Sequence, residues 1–215
     1  MGSACAAVAK KLDEIMTSLY DKIADVEFMV MGIGDFSYDD SPLQVSQFES
    51  DIRILDQLSH IYFERGGGGN GWESYTAAWY FASRHTDLDC WKRGQKGIII
   101  TLGDEPLNPY LPAKSLKEVT GDQNIQGDIE TKDLYEEVTD KYDVYHVVIT
   151  DKAASAAHYM PRIDKSFGQN LDGQHLIKSK SDDLPQVITD IVMNRDFAPA
   201  VVATPLQVDA DGIGW

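Results

Sequence analysis

A chain of 215 residues with 43% hydrophobic and 25% charged side chains has ordinary globular composition and the size of one α/β domain with a full core, which argues against a disordered or fibrous protein. Its formal net charge of −16 repels phosphate backbones and anionic lipid, so nucleic acid and membrane surfaces are poor partners and cations or basic proteins better ones. No basic leader precedes an apolar stretch, nothing approaches the ~18 apolar residues of a membrane span, and two cysteines, Cys5 and Cys90, make no disulfide framework and read as buried free thiols.

In chain order, Val8, Leu12, Ile15, Met16, Leu19 and Ile23 recur at helical spacing and predict an amphipathic helix over residues 4–23. Residues 26–31, apolar but for Glu27 and closed by Gly32 and Gly34, predict a strand. Residues 35–46 read as a polar loop and 47–50 as a short edge strand. Residues 51–63 carry Ile54, Leu55, Leu58 and Ile61 or Tyr62 in a helical stripe. The glycine run from residue 66 to Gly71, broken only by Asn70, cannot be regular structure. Trp72 then opens a helix to about Arg84, with Glu73 in its first turn.

Ile98, Ile99, Ile100 and Leu102 are apolar on both faces and predict a central strand of a parallel sheet over 97–102. A long loop holding Pro106, Pro109 and Pro112 follows it. Residues 131–142 form a charged helix, 143–150 a strand, 153–167 a helix interrupted by Pro161, and 174–180 a weak strand. Residues 181–195 form a last helix with Ser181 as its N-cap. This alternation predicts a doubly wound, mostly parallel α/β sheet with helices on both faces, a three-layer Rossmann-like domain over 1–195. Residues 196–215 break the pattern, because Pro199 and Pro205 forbid a continuous helix, and read as a tail that docks on the body or on a neighbour.

Asp104 follows the strand over 97–102, at the edge of the sheet where ligands of α/β folds collect. It reads as a cation ligand or a catalytic acid, with a turn or helix-cap aspartate as the plain alternative. The glycine run lacks the Lys and Ser/Thr that close a nucleotide P-loop, and Glu73 at its mouth repels phosphate. Met31–Gly34 has too few glycines for a dinucleotide fingerprint. His60, His85, His146, His158 and His175 make no zinc spacing, and no serine or cysteine sits in a nucleophile motif. Asp209, Asp211 and Gly212 near the end resemble half of a calcium loop or a phosphatase motif without the flanking structure either needs, so an acidic tail is the alternative there.

Taken together, Ile98–Pro106, the stretch from Gly66 to Tyr75, and the opening Met1-Gly2-Ser3 helix resemble a von Willebrand factor A domain, also called an integrin I-like domain. The resemblance implies a metal-ion-dependent adhesion site held by three loops at the strand ends. Asp104 matches the aspartate of the third loop and Asn70 stands at the ligand position of the second. The first loop, D-x-S-x-S on a strand directly before the first helix, has no counterpart at the N-terminus, so a central strand is missing. The tail could fill that place, with Asp209 and Asp211 at the first and third motif positions, although Pro205 opposes it; a partner chain, or a sheet that does without the strand, is the alternative.

What the resemblance implies is a protein-interaction module, not an enzyme. It would bind Mg²⁺, or Ca²⁺ or Mn²⁺, through Asp104, Asn70, Asp209 and Asp211, and a partner's acidic residue would complete the metal shell. It implies no organic cofactor. Such domains work beside MoxR-type AAA+ ATPases or in bacterial or phage assembly, in the cytoplasm or in a virion assembled there, and an oligomer could form through the missing strand or the tail. The other readings are a metal-dependent hydrolase using Asp104, Glu105 and the tail aspartates as a carboxylate cluster, and a purely structural subunit of a particle.

Overall fold

A computed structural model describes residues 11–12, 14–23, 25–62, 69–151 and 156–194. Residues 14–20, with 11 and 12, are helical (α1). A short antiparallel hairpin follows, β1 (Met31–Ile33) and β2 (Leu43–Val45), then α2 (Arg53–Ser59), α3 (Thr76–His85) and the single turn α4 (Asp89–Lys92). β3 (Gly97–Gly103) leads through β4 (Tyr110–Leu111), α5 (Ala113–Thr120) and β5 (Ile129–Glu130) to α6 (Thr131–Thr139) and β6 (Tyr142–Ile149). α7 (Ala156–Phe167), β7 (Leu176–Ser179) and α8 (Leu184–Met193) complete the described chain.

The fold is the expected α/β class: β3, β6 and β7 form a parallel sheet in that order, with helices on both faces. The alternation of the strands sorts the side chains. Ile99, Val144 and Val148 face a core with Tyr75, Trp79, Leu134, Val138, Ile163 and Phe167, from α3, α6 and α7. Ile98, Ile100, Leu102, Val147 and Ile149 face the other way, onto α8, and Ile98 and Ile100 also onto Ile15 and Leu19 of α1. Period-2 strands and period-3.6 helices thus meet where their apolar faces coincide.

Several local expectations are corrected. The strand expected over 26–31 is displaced to β1, and its Phe28 makes only an isolated bridge to Glu49, which is all that the expected edge strand at 47–50 contributes. The polar loop over 35–46 contains β2, because Leu43 and Val45 find a hairpin partner in β1. The long proline-bearing loop contains β4, α5 and β5, with Pro112 ahead of the first turn of α5 and Gly121 closing it at φ 73. Ser181 does not cap a helix; its N–H and hydroxyl both donate to the Asp151 carboxylate, each at 2.9 Å, and a 3-10 turn precedes α8. Pro161 lies within α7 without ending it. Cys90 is half-exposed, not buried as expected, since the short α4 buries no residue; Cys5 lies outside the described residues. The strand expected to be central, β3, lies at one edge of its three-strand sheet among the described residues, and β6 is central. Among the described residues no helix is long and apolar enough to cross a membrane.

Candidate functional site

Two strands end in the same pair of residues. β1 runs into Gly34-Asp35 and β3 closes on Gly103-Asp104. Asp35 opens a tight turn: its Oδ1 accepts the Ser37 N–H at 2.8 Å, and its own N–H donates to Asp39 Oδ2 at 2.7 Å. The third contributor is the segment ahead of α3. Glu73 lies there in an extended bridge with Leu107, not in the first helical turn as expected.

Backbone hydrogen bonds tie the three segments together. The Glu73 N–H donates to the Pro106 carbonyl at 3.0 Å and the Glu73 carbonyl accepts the Asn108 N–H at 3.2 Å. The Phe36 N–H donates to Ser74 Oγ at 3.1 Å, which joins the turn after β1 to the start of α3. Buried Asn108 locks the junction, its Oδ1 accepting the Thr76 N–H at 3.3 Å and its Nδ2 donating to Thr76 Oγ1 at 2.6 Å. Arg162 of α7 closes the side by donating to the Gly71 carbonyl at 3.0 Å.

The carboxylates gathered here are largely removed from water: Asp35, Glu73 and Asp104 are 3%, 9% and 5% exposed. Among the described residues Asp35 Oδ2, Glu73 Oε1 and Glu105 Oε2 are buried without a hydrogen-bond partner. Burial, reinforced by Asp39 and Asp35, pushes the Glu73 carboxyl up to about 8. Burial and then Asp104 raise Glu105, opposed by Arg162. Beneath them Tyr75 is fully enclosed, its hydroxyl raised by burial and then by Glu73 and Asp104. Its ring lies 4.9 Å from that of His146, which stacks on Phe167 at 3.8 Å and shares a 2.8 Å hydrogen bond with Thr101 through Nδ1. Burial lowers His146 to about 3, so its ring is neutral.

Asp104 stands where the sequence places it, at the strand end and buried. Asn70 is partly exposed, and its Oδ1 accepts the Trp72 N–H at 3.2 Å within its own turn. Asp209 and Asp211 lie outside the described residues. The sequence reading passed over Asp35, took Glu105 only into the alternative hydrolase cluster, and treated Glu73 only as a first-turn residue and a deterrent to phosphate. The repeated Gly-Asp after two apolar strands is the signal that could have found Asp35.

Chemically, a set of desolvated carboxylates with unused oxygens suits a hard cation or a cationic side chain. In charge and hardness these residues fit a divalent metal. In number they fall short, since among the described residues no three His, Cys, Asp or Glu side chains come together closely enough to hold one. Two surface clefts, one bordered by Gln44, Gln57 and His60 and one by Tyr145, His175 and Asp190, are lined by none of these carboxylates.

The fold and the site define an acidic α/β protein of the doubly wound kind with carboxylates massed at the strand ends. No protein-family profile matches the chain, and neither a curated protein nor a solved structure matches it.

Proposed function

We propose that the protein is an interaction module of von Willebrand factor A type, in which the strand-end carboxylates hold a divalent cation and a partner's acidic side chain completes its shell. The observation that carries this reading is the convergence of buried carboxylates from the ends of β1 and β3 and from the start of α3, with three oxygens left without a partner. Burying carboxylates in that way is unfavourable unless they take up a proton, as Glu73 does below about 8, or something positive arrives. Asp104 is the principal ligand and Mg²⁺ the first candidate, with Ca²⁺ and Mn²⁺ as alternatives; Asn70, Asp209 and Asp211 are the further ligands this reading calls on. The module would act in the cytoplasm or in a particle assembled there, with a protein partner such as a MoxR-type ATPase or an assembling coat.

Thermal unfolding in EDTA and in each cation tests the reading. A cation at about 100 times its Kd stabilises by about 2.7 kcal/mol, which raises Tm by several degrees, and Asp104→Ala removes that rise. No stabilisation of the unaltered protein by any of the three cations defeats the proposal. Cation-dependent phosphatase or nuclease turnover that disappears in Asp104→Ala would replace it with a hydrolase.

A further inference from the structure

We infer that the cleft between α8 and the strands β6 and β7 is a docking site for an arginine side chain of a basic partner protein. Strand register builds one wall. β6 and β7 run parallel with His146 opposite Leu176, and the His146 N–H donates to the His175 carbonyl at 2.9 Å. Tyr145 and His175, one residue earlier on each strand, therefore lie side by side, with ring centres 4.7 Å apart and planes at 36°. Parity sends Tyr145 and Ile177 to the α8 face, where both pack on the same apolar cluster as Val187.

Helical spacing builds the other wall. Val187, Asp190, Ile191 and Asn194 recur at i, i+3, i+4 and i+7 and all border the cleft. Val187 and Ile191 are apolar, as a sheet-facing stripe requires, but Asp190 and Asn194 break that stripe with a carboxylate and an amide. Between the walls lie about 370 Å³, room for one long side chain. The cleft opens on exposed Gln174, Asp190 and Asn194.

The chemistry of the walls selects the guest. Ile177, Val187 and Ile191 offer apolar surface to a methylene stem, and Tyr145 and His175 offer aromatic faces on which a planar cation stacks. Asp190 supplies the counter-charge, held in place by the Gln186 amide, which donates to its Oδ1 at 2.7 Å. A carboxylate only accepts, so Asp172 takes a proton from His175 Nδ1 at 2.6 Å, and the neutral ring then has Nε2 as a further acceptor. Among the described residues no lysine or arginine borders the cleft, and the last turn of α8 carries no basic residue. The negative end of the helix dipole adds to Asp190 there instead of being offset. A guanidinium uses all of this at once, with a plane for the rings and a fork of donors for Asp190, Asn194 and His175. An ammonium has no plane to stack, and a metal ion gains nothing from the apolar floor. The net charge of −16 draws a basic protein toward this surface. The cleft lies at the start of β7, whereas Asp104 follows the far end of β3, so the site does not depend on the cation proposed above.

Titration of the full ¹⁵N-labelled chain in EDTA, at about pH 8 where histidine is neutral and about 0.15 M salt, tests the inference. The probes are the peptide acetyl-Gly-Gly-Arg-Gly-Gly-amide and its citrulline and lysine counterparts. The arginine peptide is expected to shift the amide signals of His175, Ile177, Asp190 and Asn194, and citrulline, the same shape without the charge, to bind at least about tenfold more weakly. Lysine should fall between them. Asp190→Asn, which keeps an acceptor for Gln186, should weaken the arginine peptide about tenfold, and Tyr145→Leu, which keeps the apolar packing, about three- to tenfold. Glu118→Gln, an exposed carboxylate of α5, should change nothing. No saturable shifts up to about 10 mM peptide, equal binding of arginine and citrulline, shifts centred on Asp35, Glu73 and Asp104, insensitivity to Asp190→Asn, or an equal loss in Glu118→Gln each overturns it. Peptide binding with no thermal response to Mg²⁺, Ca²⁺ or Mn²⁺ would defeat the metal reading alone, and the converse would defeat this one alone.

Discussion

Glu73 and His146 are buried groups that folding holds in their neutral forms, and they give stability opposite dependences on pH. Glu73 moves from an ordinary 4.5 to about 8, through burial and then Asp39 and Asp35. The native state therefore binds the extra proton between those values, and the stability it contributes is complete below pH 4.5 and lost as pH rises toward 8. His146 moves down from 6.5 to about 3, through burial, so its contribution is present above pH 6.5 and lost as pH falls toward 3. In EDTA, Glu73→Gln should raise Tm relative to the unaltered protein by a margin that widens from pH 5 to 8.5, with on the order of a few kcal/mol at stake. A margin flat with pH would refute this. His146→Phe keeps the stack on Phe167 and should flatten the acid limb between pH 3 and 6.5, read from Tm against pH. Sequence pattern located Asp104 because an apolar run frames it. Asp35 was hidden in a segment whose polar residues looked like solvent-facing loop, since burial of a turn is decided by segments distant in the chain, here Ser74 reaching Phe36.

At the scale of elements, Gly103 is the tightest joint in the site. A Cβ there would collide with the Tyr75 hydroxyl, which is itself buried without a partner. Gly103→Ala should cost about 1–3 kcal/mol by overpacking, and Tyr75→Phe in the same chain should restore much of it; a double-mutant cycle in denaturant reads the coupling. Independent, additive losses would show that the two do not meet. Long periodic segments were the legible ones: α3, α6, β3, β6 and α8 fall within a few residues of expectation. β2 and α5 were not, because each is short and proline or polar residues dominate its surroundings; β2 needs its partner β1, and Leu116 is the one fully buried residue of α5. The apolar pattern of β3 correctly announced burial on both faces but could not say how many neighbours the strand has, since backbone pairing leaves no mark on side-chain pattern.

For the whole molecule, a net charge of −16 means that like charges press outward on a compact body. Raising monovalent salt from about 0.02 to 0.3 M should therefore raise Tm by a few degrees in EDTA, and a fall would show that the exposed pairs such as Lys178–Asp164 and Arg84–Glu137 outweigh the repulsion. Class and layer order were readable because strand and helix alternate through the chain. The separation into a three-strand sheet and a detached hairpin was not, being a matter of which edges meet.

That separation gives the carboxylate site an unusual anatomy. One wall, Asp35 and Asp39, belongs to the β1–β2 hairpin, and the other, Asp104 and Glu105, to the parallel sheet, with no ladder between the two among the described residues. A guest seated between them would act as a clasp on a hinge. Its grip and the stiffness of the hinge are then thermodynamically linked, so whatever loosens the hairpin weakens the guest and whatever binds the guest quiets the hairpin.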